Sequence, residues 1–217
     1  MMDLRLDLLS ADNAAAAGAL LATSHHNYPA FRVDFPDSRV RHRILVPFQT
    51  AAARDAALYG NMVGAYLDDH LAGVALWQRP GRFPLSPLRK ARMTPALMHV
   101  AIAAPRAFPR FVRSGAALER AFPEQPVWYL QALGVHPNAQ RRGVGAALLD
   151  AGLAMVDADR TGCHLHTSDE SNVDYYRRWG FELTQPAFEA GSGGPTYYGM
   201  TRPHGPRGEA HQVDSPS

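Results

Sequence analysis

A glycine-punctuated basic loop lies between an apolar run and an amphipathic segment, and its residue types could bind an anion. The loop consists of Gln140, Arg141, Arg142, Gly143, Val144, Gly145 and Ala146. Glycine has no Cβ, so backbone N–H groups in this loop can come close to a ligand. Unpaired N–H donors at a helix start, together with the helix dipole, stabilise negative charge, and two arginines add to the effect. These residues predict a phosphate or pyrophosphate site.

The segments on either side must hold this loop at the end of a strand and the start of a helix. Residues 127–135 are rich in aromatic, Leu and Val side chains, which predicts a buried strand. Pro137 ends the strand because proline cannot extend a ladder. Leu149, Leu153 and Val156 then recur at i, i+4 and i+7, the spacing of one apolar helical face. The loop should therefore lie at a strand-to-helix junction.

A second set of chemically capable side chains follows a further predicted strand at residues 163–167. Asn172 and Tyr176 are four residues apart in a short helix predicted over residues 172–179, so they share a face, and Tyr175 lies close to that face. A tyrosine keeps its proton at pH 7 and can donate it, as a general acid must. The spacing does not choose between the two tyrosines.

Two histidines alternate along the same predicted strand. Because residues at i and i+2 share a face of a strand, His164 and His166 should lie side by side. No third ligand at a suitable spacing accompanies them, so we expect no metal and interpret them as packing or substrate-contacting residues. His166, Asp169 and Glu170 are each candidates for a general base, acting directly or through water.

Composition limits the class of protein. The chain has 217 residues, 46% of them hydrophobic, which is typical of a globular domain. A formal charge of +2, with Lys90 as the single lysine, is too small for a nucleic-acid or membrane footprint. No apolar run reaches about 18 residues. A lone cysteine, Cys163, agrees with a reducing compartment, so we expect a cytoplasmic protein. The length and composition lead us to expect one domain, over residues 1–202.

The N-terminal half predicts a strand, two helices and a hairpin. Alternating leucines near the start predict the strand, and an alanine-rich helix should end before His25 and His26, which we interpret as solvated loop residues. A helix over about residues 40–57 contains Pro47 and should be kinked there. Two β-rich runs flanking Asp68-Asp69-His70 predict a hairpin over residues 62–78.

The later segments predict a lid and the closing strands. Residues 79–126 are rich in proline, with helix-like pieces at about 95–103 and 105–121, and we interpret them as a variable lid. Ser171 with Asp174 resembles a capping box at the start of the short helix. Two closing strands are predicted at residues 181–184 and 196–201, followed by a disordered tail over residues 203–217 that lacks apolar spacing.

Other interpretations of the two groups are weaker. The loop could be a purely structural turn if it stood alone, and Tyr176 could be only a core aromatic. A dinucleotide fingerprint needs a third glycine that the segment after Gly145 lacks, and a P-loop needs a lysine.

The two groups together resemble the GNAT superfamily of acyl-CoA N-acyltransferases. Gln140-x-x-Gly143-x-Gly145 is similar to the superfamily's Q/R-x-x-G-x-G/A pyrophosphate loop, and Asn172-x-x-x-Tyr176-x-x-x-Gly180-Phe181 is similar to its second signature. The order of elements also agrees. The resemblance implies an α/β GNAT fold, a mixed and mostly antiparallel sheet of about seven strands with a splayed parallel pair, strands four and five, flanked by helices.

A closer resemblance is to puromycin N-acetyltransferase and its relatives. It spans residues 4 to about 203 and includes Tyr28-Pro29-Ala30, Val74-Ala75-Leu76-Trp77 and Met200-Thr201-Arg202. The lid looks divergent, and His166 stands where that pattern has a glutamate. Fold and acetyl donor carry over by this resemblance, whereas the acceptor does not.

The resemblance implies roles for particular residues. The pantetheine arm of acetyl-CoA would lie between the splayed strands and pair with backbone near Leu133, Gly134 and Val135, where a glycine inside a strand marks a bulge or a close backbone approach. A backbone N–H at Leu133 or its neighbours would stabilise the oxyanion. Tyr176, placed before Gly-Phe in the family pattern, would protonate the leaving thiolate.

The implied activity is transfer of an acetyl group from acetyl-CoA to a primary amine of a small molecule, by direct attack in a ternary complex. His166 is the candidate that would contact the amine. A non-catalytic acyl-CoA sensor and an enzyme with a peptide or protein acceptor are the alternatives. No metal, nucleic acid or membrane is expected as a partner, and the protein is expected to be a monomer or a homodimer.

Overall fold

The computed structural model describes residues 4–204 and forms an α/β fold around one sheet. The strands are β1 Leu4–Leu9, β2 Gly60–Leu67, β3 His70–Gln78, β4 Trp128–Val135, β5 Cys163–Thr167, β6 Glu182–Glu189 and β7 Thr196–Arg202. The helices are α1 Ala14–Ser24, α2 Pro29–Asp34, α3 Ser38–Tyr59, α4 Pro87–Ala103, α5 Phe108–Arg120, α6 Val144–Ala158 and α7 Ser171–Arg177. Single 3₁₀ turns precede α1 and α6.

The sheet has seven strands in the order β1-β2-β3-β4-β5-β7-β6. Every neighbouring pair is antiparallel except β4 and β5, which run parallel. That parallel pairing covers only Trp128–Leu130 against Cys163–Leu165, and β4 continues for five further residues without a partner in β5. The predicted fold class, a mixed sheet with a splayed fourth and fifth strand, is confirmed.

Helices cover both faces of the sheet. One face packs against α1 and α3 through Leu21, Ala53, Met62, Val74 and Leu76. The other packs against α6, whose predicted apolar face is fully buried. A Cβ on Gly152 would overlap the ring of Trp77, so this glycine lets α6 lie directly on the tryptophan.

A β-bulge interrupts β4 at Gln131. Leu76 pairs with Ala132 but Trp77 pairs with Leu130, so Gln131 is the extra residue on β4. A bulge leaves one residue unpaired and shifts the alternation of the strand beyond it. Trp128 and Leu130 accordingly face α6, whereas Ala132 packs with the α1 and α3 side.

Several predicted boundaries differ from the observed ones. Helix α4 begins at Pro87, capped by the Ser86 hydroxyl, and carries Pro95 inside it instead of starting there. The six-residue helix α2 begins at Pro29, where the predicted loop ends, and no element was predicted over it; proline suits its first turn because a missing N–H costs nothing there. Strand β6 runs five residues past the predicted Thr184, to Glu189.

Helix α3 runs through Pro47 as predicted and extends from Ser38 to Tyr59, with Asp37 accepting N–H bonds at its start. The hairpin turn at Asp68 and Asp69 has both residues at positive φ, which matches a tight two-residue turn between twisted strands. Within residues 4–204 no helix is both long and apolar enough to cross a bilayer. The predicted tail lies outside the described residues from position 205 onward.

Candidate active site

The free edge of β4 beyond Leu130 presents backbone groups to the gap between β4 and β5. The His136 N–H donates to the Ala72 carbonyl of β3 at 2.8 Å, so His136 faces β3. Hydrogen-bonding groups alternate along a strand, so Leu133 and Val135 face the opposite edge, toward the gap. The bulge at Gln131 produces this phase, since without it Leu133 would face β3. These are the two backbone positions predicted to pair with a pantetheine arm.

Gly134 is explained by close approach and not by a bulge. A Cβ there would stand 2.2 Å from Ser24 Oγ and 2.8 Å from Leu21 Cδ2, both in α1. The bulge predicted as one option for this glycine lies three residues earlier. Helix α1 therefore packs in direct contact with the backbone of β4 beside the gap.

The predicted anion loop forms the start of α6. Gly143 is the N-terminal capping residue with φ +82°, and Arg141 also has positive φ, so the chain turns sharply before the helix. Ala147 donates the first intrahelical bond to the Gly143 carbonyl at 3.0 Å, which leaves the preceding helical N–H groups directed out of the helix end. A Cβ on Gly143 would meet nothing within 4 Å, so the approach to these groups is open.

The side chains around this helix end fit a pyrophosphate at the mouth of the gap. Arg141 and Arg142 are exposed, while Gly145 faces the ends of Val135 and Leu133. The Gln140 amide donates to the Val135 carbonyl at 3.3 Å and so fixes the loop to β4. The helix end, its glycines and both arginines stand beside the free strand edge, as the two halves of a CoA site would.

The adjacent tyrosines of α7 have different surroundings. The Tyr175 hydroxyl lies 3.9 Å from the point where a Cβ on Gly145 would stand, beside the start of α6. Tyr176 packs against Phe181, and the pKa of its hydroxyl is raised by burial and by the nearby Tyr28, Tyr175 and Cys163. Tyr176 therefore keeps its proton at neutral pH and lies between α7 and β5.

Helix α7 does not use the predicted capping box. Glu170 is the capping residue without a side-chain bond, and Asp174 pairs with Arg177. The Asp169 carboxylate accepts from the Ser171 N–H at 3.0 Å and hydroxyl at 2.7 Å, so Asp169 holds the start of the helix. This engagement turns one candidate base toward the helix.

Tyr28 holds the end of β5, a contact that no local residue pattern indicates. Its hydroxyl lies 2.9 Å from Thr167 Oγ1 and accepts the Ser168 N–H at 2.8 Å. The Ser168 hydroxyl in turn accepts the Ala30 N–H at 3.0 Å. The Asn172 amide donates to the same Thr167 hydroxyl at 3.4 Å, so Tyr28 and Asn172 meet at one strand end.

The structure brings His164 and His166 together on the face of β5 opposite Cys163. Their Nε2 atoms are 3.2 Å apart, and the Tyr129 hydroxyl lies 3.4 Å from His166 Nδ1. Burial lowers the pKa of His164 to about 3, with a further contribution from His166, and lowers that of His166 to about 4. Both rings are therefore neutral at pH 7. No group of three or more potential metal ligands occurs among residues 4–204.

His25 is a half-buried contact of β4, so its interpretation as a solvated loop residue is wrong. Its Nε2 lies 3.1 Å from the Leu133 carbonyl, and its Nδ1 lies 3.3 Å from the Gln49 amide nitrogen. The carbonyl can only accept, so Nε2 carries the proton and Nδ1 accepts from Gln49. Burial lowers the pKa of His25, which agrees with a neutral ring. The ring holds the Leu133 peptide at the gap.

Aromatic side chains surround the two histidines of β5. The ring of Phe122 lies 5.5 Å from His164, and Phe188 lies 6.0 Å from His166. Above them, Ala117 and Leu118 of α5 pack with Tyr28, Ala30, Phe188, Ala190 and Tyr197. The predicted lid thus covers the histidine side of β5 with apolar surface.

The arrangement can support acyl transfer across the gap. The protonated Tyr176 hydroxyl lies on the α6 and α7 side of β5, and the neutral ring of His166 lies on the other side. Backbone groups at Leu133 and Val135 and the α6 N-terminus can hold an extended, anionic donor molecule between them.

Part of the chain matches a known sequence family. Residues 101–183 match the sequence model of the acetyltransferase (GNAT) domain family. This segment includes β4, the anion loop, α6, β5 and α7.

Solved structures share the fold over nearly the whole chain. A protein from Corynebacterium glutamicum titled histone acetyltransferase HPA2 and related acetyltransferase matches with a TM-score of 0.66 and 21% identity, over 93% of this chain and 97% of that one. Arylalkylamine N-acetyltransferase 2 from Aedes aegypti matches with a TM-score of 0.59 and 13% identity, over 93% of this chain and 99% of that one. The PaiA N-acetyltransferase of Thermoplasma acidophilum, solved with coenzyme A, matches with a TM-score of 0.56 and 11% identity, over 93% of this chain and 99% of that one. Residues 101–183 therefore match the GNAT acetyltransferase domain, and the chain shares its fold with solved N-acetyltransferases.

Proposed function

We propose that the protein transfers an acetyl group from acetyl-CoA directly to a primary amine of a small molecule with an apolar, aromatic-compatible body. The observation that carries this proposal is the placement of Tyr176 and His166 on opposite sides of β5, beside the unpaired edge of β4. An acid and a base so placed serve one reaction in which both substrates are bound together. No covalent enzyme intermediate is needed.

The chain's own groups supply each role. The Leu133 N–H, held at the gap by the His25 contact to its carbonyl, is the proposed oxyanion donor. Removing one such donor typically costs about 10²–10³ in kcat. The N–H groups of residues 143–146 with Arg141 and Arg142 would hold the pyrophosphate. Acetyl-CoA supplies the thioester carbon that the amine attacks.

Tyr176 is proposed to give its proton to the departing thiolate. The burial that raises its pKa keeps the proton in place, although it also makes the phenol a weaker acid than free tyrosine. The thiolate forms within the same buried surroundings and is itself poorly solvated there, which favours the transfer. Tyr175 faces the start of α6 and is assigned no proton transfer.

The covered, aromatic surroundings of His166 favour a small acceptor. Helix α5 packs on α2 and on β6 above this region, so an extended peptide would have to displace the lid. Phe122, Phe188 and Tyr129 present ring surface to the histidines. The Aedes aegypti neighbour is named for arylalkylamines, which are amines that carry an aromatic group. Its sequence identity to this chain is 13%, which supports a shared fold alone.

An amine panel with thiol detection tests the proposal. The panel contains alkylamines, arylalkylamines, puromycin because of the closer resemblance, and peptides with a free N-terminal amine. We expect CoA release that depends on a small arylalkyl amine. Tight acetyl-CoA binding by calorimetry, without amine-dependent CoA release, would instead indicate a sensor. A higher kcat/KM for the peptides than for every small amine would indicate a peptide acceptor.

A further inference from the structure

A continuous line of side-chain contacts leads from His166 to the surface. The Tyr129 hydroxyl is 3.4 Å from His166 Nδ1, and His166 Nε2 is 3.2 Å from His164 Nε2. His164 Nδ1 is 2.8 Å from Thr201 Oγ1, which is 2.9 Å from Thr184 Oγ1. His164 has no exposed surface, whereas Thr184 is exposed. The line therefore begins beside the proposed acceptor and ends in solvent.

Of the two directions of donation that the contacts allow, a base at His166 Nδ1 requires the one that runs toward Thr184. If His166 Nδ1 accepts from the Tyr129 hydroxyl, then its Nε2 carries the proton and donates to His164 Nε2. His164 then carries its own proton on Nδ1 and donates to Thr201, whose hydroxyl donates to Thr184. Each member has one donor and one acceptor in use. A neutral imidazole is suited to this because one nitrogen accepts while the other donates.

The surroundings prevent charge from resting on the two rings. Phe122, Phe188 and the ring of Tyr129 enclose them. The pKa of each histidine is lowered by this burial, so a proton taken up by His166 is not retained. A buried base of this kind needs a path by which the proton can leave.

We infer that His164, Thr201 and Thr184 form a proton relay that carries the proton taken by His166 from the acceptor ammonium out to solvent. The inference rests on the proposed acetylation of an amine. His166 is the residue that contacts the acceptor, with the acceptor nitrogen replacing Tyr129 as the donor to Nδ1. The other three act through His166 as positioning residues.

The proton balance of the reaction requires such an exit. The acceptor nitrogen enters as R–NH₃⁺ and leaves as R–NH–CO–CH₃, so it loses two protons. The C–N bond forms as the C–S bond breaks, and the sulfur takes one proton to become CoA–SH. One proton remains, and the relay delivers it to water at Thr184.

The tautomers of the two histidines can be measured independently of activity. Two-bond ¹⁵N–¹H correlation spectra at pH 7 should show His166 protonated at Nε2 and His164 protonated at Nδ1, with assignments made from the His166→Asn and His164→Gln variants. Thr201→Val should reduce the Nδ1–H form of His164. Doubly protonated rings at pH 7, or His164 protonated at Nε2, would overturn the relay even if acetyl transfer stands.

Kinetics on amines of different basicity test the relay in turnover. Thr201→Val should lower kcat for a strongly basic alkylamine by about 10-fold or more, within the usual range for general-base catalysis, and leave the KM for acetyl-CoA within about 2-fold. A weakly basic amine, neutral at the assay pH, needs no prior deprotonation and should change by less than about 2-fold. A purely structural role for Thr201 would slow both amines equally.

Two variants on the same strand complete the experiment. Thr201→Ser keeps the hydroxyl and should restore activity on the basic amine. Thr196→Val changes an exposed threonine at the start of β7 and should leave both amines unaffected. Wild-type protein inactive on every amine would contradict the proposed function, while an active enzyme unaffected by Thr201→Val would contradict the relay alone.

Discussion

Two neighbouring tyrosines show how strongly position within one helical turn decides a role. Tyr175 faces the start of α6, and Tyr176 faces β5 and Phe181. Tyr176→Phe removes the proposed proton donor without changing the ring, so kcat should fall by about 10²-fold. The acetyl-CoA dissociation constant, measured by calorimetry, should stay within about 2-fold because the hydroxyl acts on the leaving group. Tyr175→Phe is the matched control, and equal losses in the two variants would contradict the assignment.

The two buried histidines of β5 also make the stability of the protein depend on pH. Their pKa values in the folded protein, about 3 and about 4, lie below the ordinary value of 6.5. Between pH 4 and 6.5 the unfolded chain therefore binds more protons than the folded one. The contribution of the two histidines to the free energy of unfolding is fully present above pH 6.5. It should fall as the pH drops, by about 1.4 kcal/mol per pH unit for each histidine.

Urea unfolding at several pH values checks this slope. His166→Asn should make the fall between pH 6.5 and 4 shallower, because one of the two groups that resist protonation is gone. His70→Asn, at the exposed turn of the β2–β3 hairpin, is the control and should keep the wild-type slope. An unchanged slope in His166→Asn would show that protonation of His166 does not contribute to acid unfolding.

Residue types and spacing predicted some of the site and not the rest. His164 and His166 share a face because they are two apart on a strand, which a sequence shows directly. The contact of His25 with Leu133 joins residues 108 positions apart, and no local pattern carries it. Tyr28 was part of the family resemblance, yet its bonds at the end of β5 depend on where α2 lies.

At the scale of elements, α1 and β4 are brought together by Gly134. Its missing Cβ allows Ser24 and Leu21 to approach the strand, so Gly134→Ala forces helix and strand apart. We expect a loss of about 1–3 kcal/mol in the free energy of unfolding, as for overpacking elsewhere. Denaturant unfolding measures it. In Gly115→Ala the new Cβ on α5 meets nothing, so this control should be neutral or up to about 1 kcal/mol more stable.

The N-terminal end of α6 should bind an anion more strongly than its C-terminal end. Arg141→Glu places a negative charge beside the helix start and should weaken acetyl-CoA binding by about 10-fold at low salt, with a smaller effect at high salt. Arg160→Glu, at the exposed C-terminal end of the same helix, changes net charge equally. Equal weakening by both variants would show that net charge and not the site is responsible.

Sequence periodicity predicted the elements with one strong face and failed where tertiary contacts decide. The three apolar residues that defined α6 are all fully buried, and β5 has the predicted bounds. The capping box on α7 was wrong because Asp169 bonds Ser171 from outside the helix. The start of α4 was missed because Pro95 is tolerated within a helix whose cap, Ser86, lies nine residues earlier.

At the scale of the whole molecule, a buried polar cluster joins the lid to the bulge in β4. Arg89 of α4 donates to Asp55 of α3 and to the Gln78 side chain at 2.8 Å, and the Gln78 amide donates to Gln131 at 2.7 Å. The Arg89 and Asp55 side chains are 5% and 7% exposed, so neither charge is hydrated. The lid helix, two strands and the bulge that orients Leu133 therefore depend on one ion pair.

Breaking that ion pair on one side should be costly. Arg89→Leu leaves a buried carboxylate without its partner and should lower the free energy of unfolding by about 3–5 kcal/mol. Adding Asp55→Asn should recover part of the loss, which a double-mutant cycle detects. The control is Lys90→Ala, at the residue after Arg89. It removes an exposed ion pair with Glu119 and should cost less than about 1 kcal/mol. A small effect of Arg89→Leu would show that the cluster is hydrated in solution.

The short parallel junction between β4 and β5 has a consequence for how the protein opens and closes. Within residues 4–204, only three β-ladder pairs join β1–β4 to β5–β7, so the sheet consists of two parts with a short junction between them. Backbone amides of β5, β7 and β6 should exchange their hydrogens with solvent as one group and faster than those of β2 and β3. A donor molecule lying along the free edge of β4 would supply hydrogen bonds in place of those that β5 does not make beyond Leu130. Binding should therefore slow exchange throughout β5–β7, far beyond the residues that the donor contacts.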